Sequence, residues 1–262
     1  MIILRLLGGL GNQLFIYAFG KALELNLNLD VYFDTSSGFK KDPYNRKFEL
    51  ENFNISIKKT SKYDSLFYPI NKRSKLIAGI LYPGSSYLKE DKNFSIDLIN
   101  DKLKKYKKVF LQGYFQKPEY FEIIKEELKK EIVLKTELSV TAKNYLEQIM
   151  NTNAVAVHIR MKERKDLFSF DFYLQNIKSL AQKLDSPKFF IFSDEIEWCK
   201  KNLDDNENVF FVEGTLNQIE DFWLMKNCKH FIIPNSTFSW WASRLTSYED
   251  NVILSLNDKL FT

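Results

Sequence analysis

The chain has 262 residues, 45% hydrophobic and 27% charged, with 38 Lys+Arg against 34 Asp+Glu and a net charge of +4. That length fits one large domain or two modest ones. The charge falls far short of a nucleic-acid-binding signature, so no nucleic acid is expected as a partner; a mildly basic surface suits a phosphate-bearing substrate or an anionic membrane.

The first residues run directly into a strand-like stretch, 2–7, whose apolar run is too short for a signal sequence or a membrane span. A cytoplasmic location is therefore expected, and the sequons at Asn54, Asn93 and Asn235 read as chance matches. A glycine loop follows, then a helix over 12–27 and a strand over 31–33. Only nine glycines occur, so each is expected to hold a special backbone position rather than a flexible linker. Residues 58–108 are rich in Lys, Tyr and Ser, include KRSKLIAGILY over 72–82, and give no clear elements. A strand over 109–115 and a helix over 119–131 restore order, and 135–153 holds a helix and the connection between domains.

The second half alternates β-rich runs (154–160, 188–193, 208–212, 230–234 and 251–255) with amphipathic segments. Tyr173, Ile177, Leu180 and Leu184 fall at helical spacing, as do Ile219, Phe222, Trp223 and Lys226. Strands alternating with helices imply a parallel, doubly wound sheet with right-handed crossovers. The expected division is 1–150 and 151–262. The cysteines, Cys199 and Cys228, form no C-x-x-C, and with only His158 and His230 a His/Cys metal cluster is not expected.

Three segments carry chemistry. GGLGNQLF, 8–15, stands after a strand and opens a helix, where glycines let the backbone approach a ligand and free N–H groups favour an anion. It lacks the G-x-G-x-x-G spacing of a dinucleotide site, and a tight packed turn is the competing reading. Asn12 and Gln13, neutral hydrogen-bonding groups at its mouth, tilt the balance towards a sugar. VAVHIRMKERKD, 155–166, ends a buried strand on His158 and Arg160, at the edge where open α/β sheets bind ligands. A guanidinium there can clamp a diphosphate and stabilise charge on a leaving group. Glu163 and Asp166 are nearby carboxylates, although the run 162–165 reads first as a solvated basic loop. FIIPNSTFSWWASRL, 231–245, stops a strand at Pro234, turns through Asn235, Ser236 and Thr237, and starts a helix near Phe238. Its hydroxyls are expected to cap that helix and form a phosphate nest, while Trp240 and Trp241 read as core. Ser193-Asp194-Glu195 ends another strand, placed either to take nucleoside hydroxyls and N–H groups or to cap the next helix. Asp221 heads an apolar helix face, as a dipole partner or as a receptor for guanine N–H groups.

In this order these segments resemble the bacterial and animal α-1,2-fucosyltransferases of glycosyltransferase family 11. The resemblance rests on GGLGNQLFIYAFGKAL, HIR, FSDEIEWCKKNL and DFWLMKNCKHFIIPNSTFSWWASRL; residues 39–108 carry little of it. It implies a GT-B-type α/β fold, with two Rossmann-like domains of parallel sheets facing a cleft, the N-terminal one on the acceptor side and the C-terminal one binding the donor. It further implies an inverting mechanism, a GDP-fucose donor and neither metal nor other cofactor; independently, the sequence contains no D-x-D triplet. Carried over by position, Arg160 would bind the β-phosphate and assist departure of GDP, and His158 and Asp221 would contact guanine. Ser236, Thr237 and Ser239 would line the pyrophosphate, Asp194 the nucleoside, and Gly11 and Asn12 would approach the fucose. Gln13, Ser193 and Asn235 complete the donor-binding set. The family usually reads H-x-R-R-x-D, whereas here Met161 replaces the second Arg and Glu163 the Asp, with Lys162 or Arg164 available to compensate.

The expected reaction is direct displacement at the fucose anomeric carbon, with Glu163 as base and Asp166 in reserve. The acceptor is expected to be a galactose-terminated oligosaccharide or a lipid-linked glycan. The segment 72–82 raises docking at the inner face of an anionic membrane, against the plainer reading of a basic surface. Three alternatives stay open: another nucleotide-sugar donor, a non-catalytic nucleotide-sugar or glycan binder, and a nicotinamide-dependent oxidoreductase, which the missing third glycine disfavours.

Overall fold

The computed structural model describes residues 1–66, 84–161, 169–203 and 206–256. The segment 72–82 and the loop with Glu163 and Asp166 lie outside the described residues. The chain divides into two compact units, Met1–Glu131 and Ile132–Thr262.

The first unit runs β1 (Ile2–Arg5), α1 (Leu10–Leu27), β2 (Val31–Asp34), a 3₁₀ turn (Leu50–Asn52), α2 (Lys62–Leu66), β3 (Ser85–Lys89), α3 (Ile96–Leu103), β4 (Lys108–Gln112), α4 (Pro118–Glu122) and α5 (Lys125–Glu131). Its strands are parallel in the order β2-β1-β4-β3. Strand alternation sends Leu4 and Phe33 to the face that α1 covers. A Cβ on Gly20 would come within 2.4 Å of the Phe33 ring, so only glycine lets the helix lie this close. The helix expected over 119–131 is two helices, with the Ile124 N–H turned back to the Phe121 carbonyl at 3.0 Å between them.

The second unit runs α6 (Val140–Met150), β5 (Asn153–Ile159), α7 (Phe170–Lys183), β6 (Pro187–Ser193), α8 (Ile196–Asn202), β7 (Val209–Phe211), α9 (Gln218–Lys226), β8 (His230–Ile233), α10 (Thr237–Arg244) and β9 (Ile253–Ser255). All five strands are parallel, in the order β7-β6-β5-β8-β9. The division falls earlier than residue 150 because the approach to α6 is bonded into this unit. Ser139 caps the helix and gives both its N–H and its hydroxyl to Glu220 of α9, at 2.6 and 2.9 Å.

Alternation along β5 builds two layers. Val155, Val157 and Ile159 face the side filled by Tyr173 and Leu180 of α7 and by Cys199 of α8. Right-handed crossovers place α9 and α10 over the opposite face, towards which Ala154, Ala156 and His158 point. Trp240 and Trp241 are buried core residues of α10, stacked edge-on at 5.1 Å. Both cysteines are buried and unpaired as disulfides. Among the described residues no helix is long and apolar enough to cross a membrane.

Candidate active site

Two strands leave the middle of the second sheet in opposite senses of winding. From β5 the chain moves outward through β6 to β7, then returns to add β8 on the other side of β5. The gap between the carboxyl ends of β5 and β8 is therefore a topological switch point, where open α/β sheets bind ligands. The ladders end together: Ile159 pairs Ser193 across β5 and β6, and Val157 pairs Ile232 across β5 and β8. Arg160, Asp194 and the Asn235-Ser236 turn thus emerge from neighbouring strands, about 4.8 Å apart. The helix after each parallel strand starts at this same edge, so the first turns of α9, with Asp221, and of α10, with Thr237, share it. The structure brings His158, Arg160, Ser193, Asp194, Asp221, Asn235, Ser236 and Thr237 to one rim.

His158 is buried, and its Nδ1 has no hydrogen-bond partner among the described residues. Its ring lies 5.8 Å from that of Phe238 on α10, which in turn meets Phe222 on α9 at 5.4 Å. Burial, and after it the Arg160 charge, push the imidazole pKa from 6.5 down to about 3. The strand alternation that turns His158 towards α10 sends Arg160, half-buried, to the same side. Met161 goes the other way, packing on the apolar layer with α7 and α8. Where the family pattern has a second arginine, this chain therefore places an apolar side chain against its core. The Met161 N–H donates to Asp194 Oδ1 at 2.9 Å, and the Glu195 N–H donates to Ser193 Oγ at 3.0 Å. Asp194, expected at the nucleoside, and Ser193, expected in the donor-binding set, thus both bond the backbone of the rim.

Ser236 holds the N-cap position of α10, but its side chain makes no cap bond, contrary to the expected capping. The N–H groups of that first turn are accordingly not taken by their own cap. Ser239 departs from its expected place on the pyrophosphate: it is fully buried, its hydroxyl facing the Ser236 carbonyl at 3.5 Å. It buttresses the turn instead. On α9, Asp221 accepts the Thr215 hydroxyl at 2.8 Å. Burial raises its pKa, the Thr215 bond opposes that, and Glu220 adds to the rise.

Glu220 was absent from the sequence expectations. It is buried and accepts from the Ser139 N–H and hydroxyl and from the Leu216 N–H, the last at 2.8 Å. Its desolvation would raise the pKa, but those bonds prevail and hold it below the ordinary carboxylate value. The available signal was the Asn217-x-x-Glu220 spacing of a capping box, with Asn217 Oδ1 accepting from Ile219 N–H at 2.9 Å.

In the first unit the glycine turn follows β1. Gly8 has φ +77°, a left-handed conformation that favours glycine, and a Cβ there would push on the Asn12 side chain, 2.8 Å from its Nδ2. Gly11 is buried within α1. Asn12 is half-buried, its Oδ1 accepting from Gln116 Nε2 at 2.8 Å. Gln13 is a correction: it is fully buried, its Nε2 donates to the Gly8 and Lys47 carbonyls, and its Oε1 accepts from the Glu49 N–H, each at 2.9 Å. Its hydrogen-bonding groups staple the turn to 47–49 and leave no donor for a sugar. Among the described residues no group of three or more His, Cys, Asp and Glu is placed to hold a metal ion.

A family model described as glycosyl transferase family 11 matches residues 86–259. An α-1,2-colitosyltransferase of Escherichia coli is 32% identical over 97% of this chain and 91% of its own length. The O-antigen biosynthesis glycosyltransferase WbnK, also of E. coli, is 27% identical over 95% of this chain and 91% of its length. The crystal structure of the fucosyltransferase NodZ from Bradyrhizobium superposes with a TM-score of 0.57, covering 94% of this chain and 93% of NodZ at 16% identity. POFUT1 in complex with GDP gives 0.57 over 98% of both chains at 13% identity. At such identities the likeness is one of fold: an α/β fold with parallel sheets.

Proposed function

The chain belongs to glycosyl transferase family 11, and from that premise we propose that this glycosyltransferase is an inverting α-1,2-fucosyltransferase. It moves L-fucose from GDP-β-L-fucose to the 2-hydroxyl of a galactoside in surface-glycan synthesis of the O-antigen type. One observation carries the reading. Arg160 leaves the central strand on the same side as buried His158, beside the start of α10, whose cap residue does not occupy its N–H groups.

A diphosphate seated at this switch point meets one guanidinium and one helix N-terminus. Both stabilise negative charge most when it grows on the departing GDP, and that difference between transition state and ground state is what accelerates the step. The acceptor oxygen attacks the anomeric carbon opposite the diphosphate, the carbon–oxygen bond to GDP breaks, and β configuration becomes α. The acceptor proton passes to a carboxylate, Glu163 or in reserve Asp166, a transfer worth about 10²–10⁴-fold. Asp221, whose pKa burial raises, and the neutral His158 form the base-recognition side. No metal or cofactor is assigned a part. The donor is met in the cytoplasm, and a lipid-linked acceptor would bring the enzyme to the inner membrane face.

The test is incubation of the purified chain with GDP-fucose and a panel of β-galactosides, with linkage analysis of the product. An α-1,2-linked fucoside is expected; GDP release at background level, or a thermal shift with NAD but not GDP, overturns the reading. A second donor has support in the 32% identity to an α-1,2-colitosyltransferase. Colitose is fucose without its 3-hydroxyl, so supplying GDP-colitose in parallel and comparing kcat/KM decides between them.

A further inference from the structure

We propose that Asp194 is a positioning residue that fixes Arg160 at the end of β5, rather than a contact to the nucleoside. The proposal rests on the reading above, in which Arg160 meets the donor diphosphate.

Regular pairing of β5 stops at Ile159, opposite Ser193. Arg160 is therefore the first residue beyond the paired ladder. The residues on either side of it are both held. Ile159 is fully buried in the ladder. Met161 is held twice: its side chain lies on the apolar layer beneath α7 and α8, and its N–H is bound to Asp194 Oδ1 at 2.9 Å. The second bond crosses from β5 to the neighbouring strand, thirty-three positions along the chain. Asp194 is itself fixed in a tight turn, closed by the Glu195 N–H on Ser193 Oγ at 3.0 Å. Two adjacent strand ends are thus tied just beyond their last paired residues, with Arg160 between the two points of attachment.

A carboxylate is a strong acceptor for a backbone N–H in a part-buried setting. Remove it, and the peptide joining Arg160 to Met161 loses the bond that ties it to the neighbouring strand; a guanidinium at the end of a long side chain magnifies any rotation of that peptide. Misplacement of about 1 Å at a reacting centre costs on the order of 10²-fold in rate. Asparagine in place of Asp194 keeps an acceptor oxygen of the same reach, whereas alanine keeps none. A direct nucleoside contact would behave differently, because its loss weakens binding of the nucleoside itself.

The experiment compares wild type with Asp194→Asn and Asp194→Ala. It measures kcat at saturating GDP-fucose, affinities for GDP and for guanosine, and the Met161 amide proton in ¹⁵N-resolved spectra. Asp194→Ala is expected to lower kcat about 100-fold, to shift the Met161 amide upfield, and to leave guanosine affinity unchanged. Asp194→Asn is expected to lose less than about tenfold in kcat, the difference between a charged and a neutral hydrogen bond. A parallel fall in guanosine affinity in either variant, or wild-type kcat in Asp194→Ala, overturns the proposal. Should Asp194→Ala fail to fold, Asp194→Asn decides alone: retained guanosine affinity with a displaced Met161 amide supports the tie, and lost guanosine affinity refutes it. Wild-type protein that binds no GDP would instead overturn the functional reading beneath, a result separable from any variant.

Discussion

Arg160 and His158 stand two residues apart on the central strand, and the guanidinium presses on an imidazole that burial has already made hard to charge. His158 is held down to about 3 by those two causes, in that order. His230 also lies below its usual value, through burial and Lys229, with Asp250 pulling the other way. Its Nδ1 accepts from the Val252 N–H at 3.0 Å, which fixes the neutral Nε2–H tautomer. The unfolded chain binds protons at both histidines below about pH 6.5, and the fold refuses them, so stability falls as pH drops. For His158 the loss runs from about 6.5 down to its folded value, at about 1.4 kcal/mol per pH unit. With only two histidines in the chain, ring-proton titration by NMR should show His158 silent above about pH 4. Urea midpoints should fall from pH 7 to pH 5, less steeply in His158→Gln.

Arg160→Ala should cut kcat about 10²–10³-fold even at saturating donor, the range for losing one preorganised electrostatic partner. Arg160→Lys should recover part of that, since it restores the charge but not the bidentate geometry. The check is kcat measured alongside a circular-dichroism melt. A loss confined to KM would mean that the guanidinium binds ground and transition state alike.

How much of this was legible depends on how far away each partner lies. The second sheet was readable because its strands are buried apolar runs and its ligand edge follows from strand polarity. Arg160, Asp194, Asp221 and Asn235 could be placed at that edge because they follow or face those runs. The strand β3, SSYLK, was not, because every residue in it is half-buried or exposed and no apolar alternation marks it. The strand expected to reach Phe115 stops at Gln112, because Glu90 takes the Tyr114 and Phe115 N–H groups at 2.7 and 2.9 Å and Phe115 turns to φ +50°. Gln13 looked like a sugar ligand because its partners, Lys47 and Glu49, are more than thirty positions away. Local pattern shows a polar side chain but not what satisfies it.

Gln13→Ala should therefore act on stability first. It removes three bonds and leaves two carbonyls and one N–H without that partner in a buried turn. At about 1–3 kcal/mol for each group that water cannot reach, a loss of several kcal/mol is expected, read as a lower urea midpoint at unchanged m. Gln13→Glu should be worse than its small size change suggests, because a carboxylate cannot donate to the Gly8 and Lys47 carbonyls. A variant with wild-type stability and selectively weakened donor binding would return Gln13 to the ligand set.

Glu220 supplies the sharpest separation of structure from chemistry, because it adjoins Asp221 yet points elsewhere. Its carboxylate accepts three bonds, two from Ser139 and one from Leu216, and so holds the start of α9 to the cap of α6. Glu220→Gln must turn its NH₂ group towards at least one N–H donor, since Oε1 and Oε2 each accept a backbone N–H; a donor facing a donor in a buried site costs about 1–3 kcal/mol. Glu220→Ala removes all three bonds and should cost more. Because the folded pKa is depressed, the carboxylate's contribution is present above the unfolded value near 4.3 and is lost as pH falls through the folded one. Wild type should thus show an added stability loss in that acid range that Glu220→Gln lacks. Asp221 hangs from the same helical turn, so GDP affinity should fall in step with disorder of that turn, measured as faster amide exchange at 216–221. Unchanged exchange with weakened GDP affinity would mean that Glu220 itself reaches the nucleotide.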